Sequence, residues 1–330
     1  MVSLFKAKSA AAVVWITLLC IFIHLPFIFQ GPQIVVSGNE TVLDRFLTSW
    51  SGMSGAVLFL VYLILVSLQA NRLNAATNNL FLFPKDNALP GMVYVLFTAL
   101  LLQWNNISSP LIMNTLFIEI LATFRILHSV EKPEKLIFNL SMLTSVGVIL
   151  YPPSLVWTLI LLFGLISLSS FKFRLIIVWI IGLLLPFYFL AAYLFLSDNY
   201  VHVFRFIPKL ELQNLKLTGN PLLYLVAWGF VGISVVFGIL TGQQNSGKLM
   251  IAARKIWGLM SFAFLLTIGN AFLFPKESLQ VLLFVMICAS LLASNIFYYA
   301  SSKWVINLWF WLIVLGIYYT NLHSLQIIRF

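Results

Sequence analysis

Glu119 lies nine residues into the apolar stretch Pro110–Leu127, PLIMNTLFIEILATFRIL. At about 1.5 Å per residue it falls roughly 13 Å from the start of a helix, near the middle of a hydrocarbon core about 30 Å thick. An ionisable side chain at that depth faces the protein interior or a wet cavity, which leaves it two roles. One is proton or cation coupling in a small-solute transporter. The other is a carboxyl kept neutral by its surroundings and hydrogen-bonded to a threonine or a backbone carbonyl. Thr115 and Thr123 stand four residues to either side of it and form one polar stripe with it. Arg125, six residues on, projects from a different face and is expected to reach for the membrane surface. The apolar segments offer no basic residue at the same depth, so Glu119 is expected to lack an ionic partner.

A second pair of acids, Glu40 and Asp44, lies in VSGNETVLDRFLTSW beside Arg45. An acid just after a first membrane helix resembles the placement of the catalytic base in C-type glycosyltransferases, which act on polyprenyl-phosphate sugars. The resemblance implies that Asp44 or Glu40 takes the acceptor's hydroxyl proton. The alternative is an ordinary solvated loop. The stretch DNYVHVFRFIPKLELQNLKLTGN mixes aromatics with Arg205, Lys209 and Lys216 and alternates apolar and polar residues after Pro208. Such a segment can lie in the membrane interface. In a lipid-linked sugar enzyme, Arg205 and Lys209 would be its phosphate contacts.

Other motifs carry less. His24, His128, His202 and His323 are scattered, and Cys20 and Cys288 sit in apolar segments, so neither a metal site nor a disulfide framework is expected. Nothing points to a cofactor. GQQNSGKL (242–249) matches a phosphate-binding G-x-x-x-x-G-K, but Leu249 stands where Ser or Thr should meet magnesium, and an apolar helix precedes it. It reads better as part of a basic juxtamembrane segment, 241–257. FLFPK occurs at 81–85 and at 272–276, on opposite sides of the expected topology.

The elements that must position these groups are apolar helices. Of 330 residues, 62% are hydrophobic and 8% charged, where soluble domains carry about 25% charged residues. The composition predicts one all-α, polytopic membrane domain over 1–330 with about eleven spans. These are expected near 9–29, 54–70, 91–104, 110–127, 136–150, 154–169, 175–196, 221–240, 258–274, 279–299 and 304–320. The first follows Lys6 and Lys8 and is longer than a signal-peptide core, so it is kept as an uncleaved helix. Connections fall at a first outer loop (30–53), an Asn-rich loop (71–90), a turn at 105–109 with Ser109 as N-cap, and the outer amphipathic loop 198–220. Tyr151-Pro152-Pro153 separates two short helices as a hairpin or a broken pair.

With the N-terminus inside, thirteen of the 19 basic residues fall on the inner side, Arg72 among them, and six on the outer. This predicts a cytoplasmic N-terminus and a periplasmic C-terminus. The net charge of +10 therefore sets orientation and does not imply nucleic acid. The expected partners are membrane lipids, a polyprenyl-phosphate lipid if the transferase reading holds, and other membrane proteins.

From about 71 to 198, three runs resemble a family of short bacterial inner-membrane proteins of unassigned function. They are NRLNAATNNLFLFPKDNALPGMVYVLF, EKPEKLIFNLSMLTSVGVILYPPSLVWTLILLF and GLLLPFYFLAAYLFL. Some members of that family carry a beta-carotene monooxygenase label, which would imply an iron held by histidines or carboxylates. The resemblance implies a multi-pass protein of the bacterial cytoplasmic membrane and carries no functional residues. Three activities follow: a membrane component or accessory subunit, a glycosyltransferase-like enzyme, or a transporter centred on Glu119.

Overall fold

The computed structural model describes residues 1–7, 10–28, 31–36, 41–129, 132–168, 172–198, 206, 208, 210, 220–274 and 278–324. The chain is all-α. Its helices are α1 (Ala10–Ile23), α2 (Val42–Thr48), α3 (Gly55–Asn79), α4 (Leu89–Thr98), α5 (Ser109–Ala122), α6 (Phe124–Ser129) and α7 (Glu134–Leu150). They continue as α8 (Leu155–Leu168), α9 (Phe173–Leu196), α10 (Pro221–Asn245), α11 (Ile251–Leu273), α12 (Ser278–Val281), α13 (Leu283–Tyr299) and α14 (Lys303–Ser324). Among the described residues, seven helices are long and apolar enough to cross a membrane: Gly55–Asn79, Ser109–Leu127, Phe173–Leu196, Pro221–Lys248, Ile251–Leu273, Leu279–Tyr299 and Lys303–Ser324. Three shorter apolar helices accompany them, at Ala11–Ile23, Leu89–Thr98 and Pro152–Leu168. Large side chains such as Leu184, Leu225, Val236 and Leu265 lie exposed around the bundle, an outer surface suited to lipid.

Hydrogen bonds fix which helix ends meet. At the end that holds the N-terminus, Ala88 N–H donates to the Phe5 carbonyl and Trp257 Nε1 to the Leu82 carbonyl. Lys6 Nζ reaches the Tyr298 carbonyl there, and Val2 N–H reaches Asn307. At the opposite end Tyr224 bonds Gln103, Asn270 bonds the Pro153 carbonyl, and Asn321 bonds the Ala99 carbonyl. Consecutive long elements therefore run back and forth between the two ends. α13 is almost wholly buried and forms the axis, whereas α9 has the least buried span of the seven. A two-residue parallel bridge, Ile34–Val35 with Ile107–Ser108, ties the connection after α1 to the start of α5.

Several expectations change. Of the Asn-rich stretch 71–90 only 80–88 is a loop: α3 continues to Asn79, and α4 begins at Leu89. Asparagine is a weak helix former, but here tertiary bonds outweigh propensity. Asn74 Oδ1 accepts from Gly91 N–H at 2.7 Å, and Asn78 exchanges two bonds with the Asn87 backbone. The helix stops at a Schellman turn, with Leu82 N–H on the Thr77 carbonyl and Phe81 N–H on the Asn78 carbonyl. Phe81 takes the left-handed position usually given to glycine, at φ 51°. The Arg125 guanidinium lies 4.1 Å over its ring and donates to the Asn79 carbonyl, so a cation also meets the negative end of α3.

The first outer loop contains α2, and α10 and α11 absorb most of segment 241–257, leaving a break near 246–250. Within that segment, the apparent phosphate motif is a helix end and one 3-10 turn, with Gly242 packed on Asn295. The prolines after Tyr151 make a hairpin: Met113 of α5 lies at Gly147 in α7, whereas Phe117 stacks on Trp157 and Phe124 lies at Gly164, both in α8. Ser108, not Ser109, takes the N-cap position of α5. Of the two FLFPK copies, Phe81–Lys85 lies at the N-terminal end and Phe272–Phe274 at the other, Pro275 and Lys276 being outside the described residues.

Close packing on the axis generates a test. A Cβ on Gly238 in α10 would overlap the Leu292 carbonyl of α13, whereas one on Gly229 of the same helix meets nothing within 4 Å. Gly238→Ala should lower stability in detergent by about 1–3 kcal/mol, read as the midpoint of thermal unfolding, and Gly229→Ala should leave it unchanged. Equal midpoints for both would refute this packing.

Candidate functional site

Asp44 is 1% exposed, inside α2 and not in a solvated loop. Thr41 caps that helix: its side chain accepts from Asp44 N–H, and Asp44 Oδ2 accepts from Thr41 N–H in return. Asp44 Oδ1 accepts a short hydrogen bond from the Ser109 hydroxyl. The carboxylate thus closes its own helix and ties α2 to the first turn of α5. To act as a base it would have to give up the Ser109 bond. Glu40, Arg205 and Lys209 lie outside the described residues.

Beside this, at the same end of the bundle, a buried polar cluster joins four helices. His24, at the end of α1, bonds the Cys20 carbonyl through Nδ1 at 2.7 Å and meets Asn105 Oδ1 and Tyr62 Oη through Nε2, both at 3.2 Å. Asn105 passes the chain of bonds on to Asn321 and the Ala99 carbonyl. Deeper in the core, Gln69 donates to the Leu111 carbonyl and Thr115, and accepts from Tyr94, which in turn accepts from Asn114. These groups spend their hydrogen bonds on one another, as buried polar side chains generally do. Among the described residues no group of three His, Cys, Asp or Glu could hold a metal ion.

Glu119 does have an ionic partner. Arg72 of α3 grips it with Nε at 2.5 Å and Nη2 at 2.7 Å, a forked pair. Thr115 and Thr123 are engaged elsewhere, with Gln69 and the Ile120 carbonyl. The pair could not be foreseen once 71–90 was read as a loop. The signal was Leu60, Ile64, Leu68 and Arg72, spaced by four residues along one exposed face of a single helix.

Depth and exposure set this pair apart. Tyr62 bonds Asn105 at one end of the bundle, and near the other the carbonyl of Asn79, the last residue of α3, accepts from Arg125. Arg72 is about 15 Å from the first and about 10 Å from the second at 1.5 Å per residue. Yet the Arg72 and Glu119 side chains are 49% and 43% exposed. Two charges stand about two turns inside the end of α3 and on the outside of the bundle.

The model of a family of unknown function, DUF6427, matches residues 43–327. The chain belongs to that family. The match takes in nearly every element described above, far beyond the 71–198 stretch on which the sequence resemblance rests. No curated protein and no solved structure matches the chain.

Asp44 gives this site its own test. Asp44→Ala strands the Ser109 hydroxyl and opens the α2 cap, and should cost about 1–3 kcal/mol of stability in detergent. Asp44→Asn keeps an acceptor for both and should cost less. A chain as stable with Ala as with Asp would show that the carboxylate does not hold these elements together.

Proposed function

We propose that this DUF6427 chain is a multi-pass membrane component that works as a subunit of a larger membrane assembly. The observation that supports this is the Arg72–Glu119 pair, half-exposed on the outer surface about two turns inside the end of α3. Hydrocarbon offers such a pair no hydrogen-bonding partner, and each charged side chain costs several kcal/mol at that depth. Another protein laid over α3 and α5 removes the cost. On this reading α1, α3, α4, α5, α7, α8, α9, α10, α11, α13 and α14 are eleven passes in a bacterial cytoplasmic membrane. Lys6, Lys85, Arg125, Lys135, Arg174, Arg254, Lys255 and Lys303 gather at the N-terminal end, which supports a cytoplasmic N-terminus and contact with anionic headgroups there.

A transporter is the second reading, and the same pair favours it: a water-filled inlet would also keep Arg72 and Glu119 charged at that depth. The glycosyltransferase-like reading would need Asp44 released from Ser109 and a polyprenyl-phosphate lipid docked at Arg205 and Lys209.

A spin label at Thr115, on the ion-pair face, separates these readings. Cys20 and Cys288 are buried and will not compete for the label. In native membranes a subunit interface shields Thr115→Cys from both dissolved oxygen and an aqueous nickel chelate, whereas Val236→Cys on the outside of α10 is open to oxygen. Access of nickel to position 115 would favour the transporter. Access of oxygen as free as at position 236 would place the face against lipid and end the subunit reading.

A further inference from the structure

We infer that the protein covering the Arg72–Glu119 face is a second copy of this chain, related to the first by a two-fold axis along the membrane normal. This rests on the subunit reading and names its partner.

Charge complementarity carries the inference. α3 and α5 run in the same direction, since Gln69 meets Leu111 and Thr115, Arg72 meets Glu119, and Asn79 meets Arg125. Arg72 and Glu119 therefore lie at one depth on neighbouring helices, and the line from cation to anion lies in the plane of the membrane. A two-fold axis along the normal, passing beside that line, sets each Arg72 against the partner's Glu119. The result is a closed square of alternating charges with no net charge. Each carboxylate gains a second guanidinium, and Arg72 Nη1, which has no acceptor among the described residues, gains one. A different protein would have to carry its own cation and anion at the matching depth; a second copy inserted the same way does so automatically. Such a face is self-complementary, as a two-fold interface requires.

The rest of the surface fits close approach. Ala75 and Ala122 stand three residues beyond Arg72 and Glu119 on their helices and are half-buried. Small residues let membrane helices come near one another. In the other direction the exposed row Leu60, Ile64 and Leu68 continues the same face of α3 with apolar side chains that can pack on their own copies.

Reciprocal charge reversal in the full-length chain tests this. Two wild-type chains with different tags, expressed together and extracted in mild detergent, should co-purify. R72E chains alone or E119R chains alone set four like charges together, and co-purification should fall by about two orders of magnitude. R72E expressed with E119R sets the two negative charges of one copy against the two positive charges of the other while each chain's internal pair stays broken, so co-purification should return. A role confined to one chain cannot produce that recovery. Should either variant fail to reach the membrane, a short bifunctional maleimide on Thr115→Cys chains should still link copy to copy. Shielding at position 115 with wild-type tags that separate would mean a different partner: the subunit reading stands and this inference falls. Wild-type tags that co-purify regardless of charge reversal would place the dimer contact elsewhere and also overturn it.

Discussion

A helix buried in a bundle surrounded by lipid has no water to fall back on, so every polar side chain on α3 must meet a protein partner at its own depth. Tyr62 meets His24 and Asn105, Gln69 meets Tyr94, Thr115 and the Leu111 carbonyl, and Arg72 meets Glu119. Asn74 then meets Gly91, and Asn78 meets Asn87. This ladder fixes the register of α4 and α5 against α3. Apolar packing alone would do so weakly, because lipid tails solvate leucine about as well as another helix does. The short α4, every residue of which is buried, is legible in these terms: its backbone is held at Gly91 and Asn87 by the two asparagines of α3.

Hydropathy made the membrane class and the positions of most helices readable, because a span must be a long apolar run. It failed on QANRLNAATNN. Asparagine signals a turn when water is its competitor for hydrogen bonds, and here the competitor is the backbone of α4. That single misreading moved Arg72 from a helix into a loop, left Glu119 apparently without a partner, and added one cation to the inner-loop count. Ser109 shows the same limit at smaller scale. Serine before proline at an apolar run reads as an N-cap, yet its hydroxyl goes to a carboxylate 65 positions away in sequence. Local rules weigh what a side chain can do for its neighbours and carry no record of distant acceptors.

Asp44 and Glu119, both singled out by the sequence, end in opposite situations. Asp44 is buried, but the Thr41 N–H and the Ser109 hydroxyl give it donors for both oxygens, so its burial is compensated. An acid after a first helix can therefore be a structural tie as readily as a base. Glu119 is less buried, and among the described residues one charged partner meets it, itself half-exposed. Both carboxylates have a donor for each oxygen; what separates them is exposure, 1% for Asp44 and 43% for the Glu119 side chain.

That contrast also bears on why position 72 holds arginine. A lysine there would be a point charge on a flexible stem, free to turn toward the aqueous side about 10 Å away. The planar guanidinium instead locks onto both carboxylate oxygens, and in α3, as in any helix, the Cα–Cβ bond tilts toward the N-terminus, here away from the basic end. The fork thus holds the charge against Glu119, about two turns inside the end of α3. Inside the bundle, the Gln69 and His24 clusters use neutral groups that largely saturate one another. On the outer face of α3 and α5 two full charges stand about two turns inside the end of α3 with bonding capacity left over, and that spare capacity is what the proposed subunit contact would use.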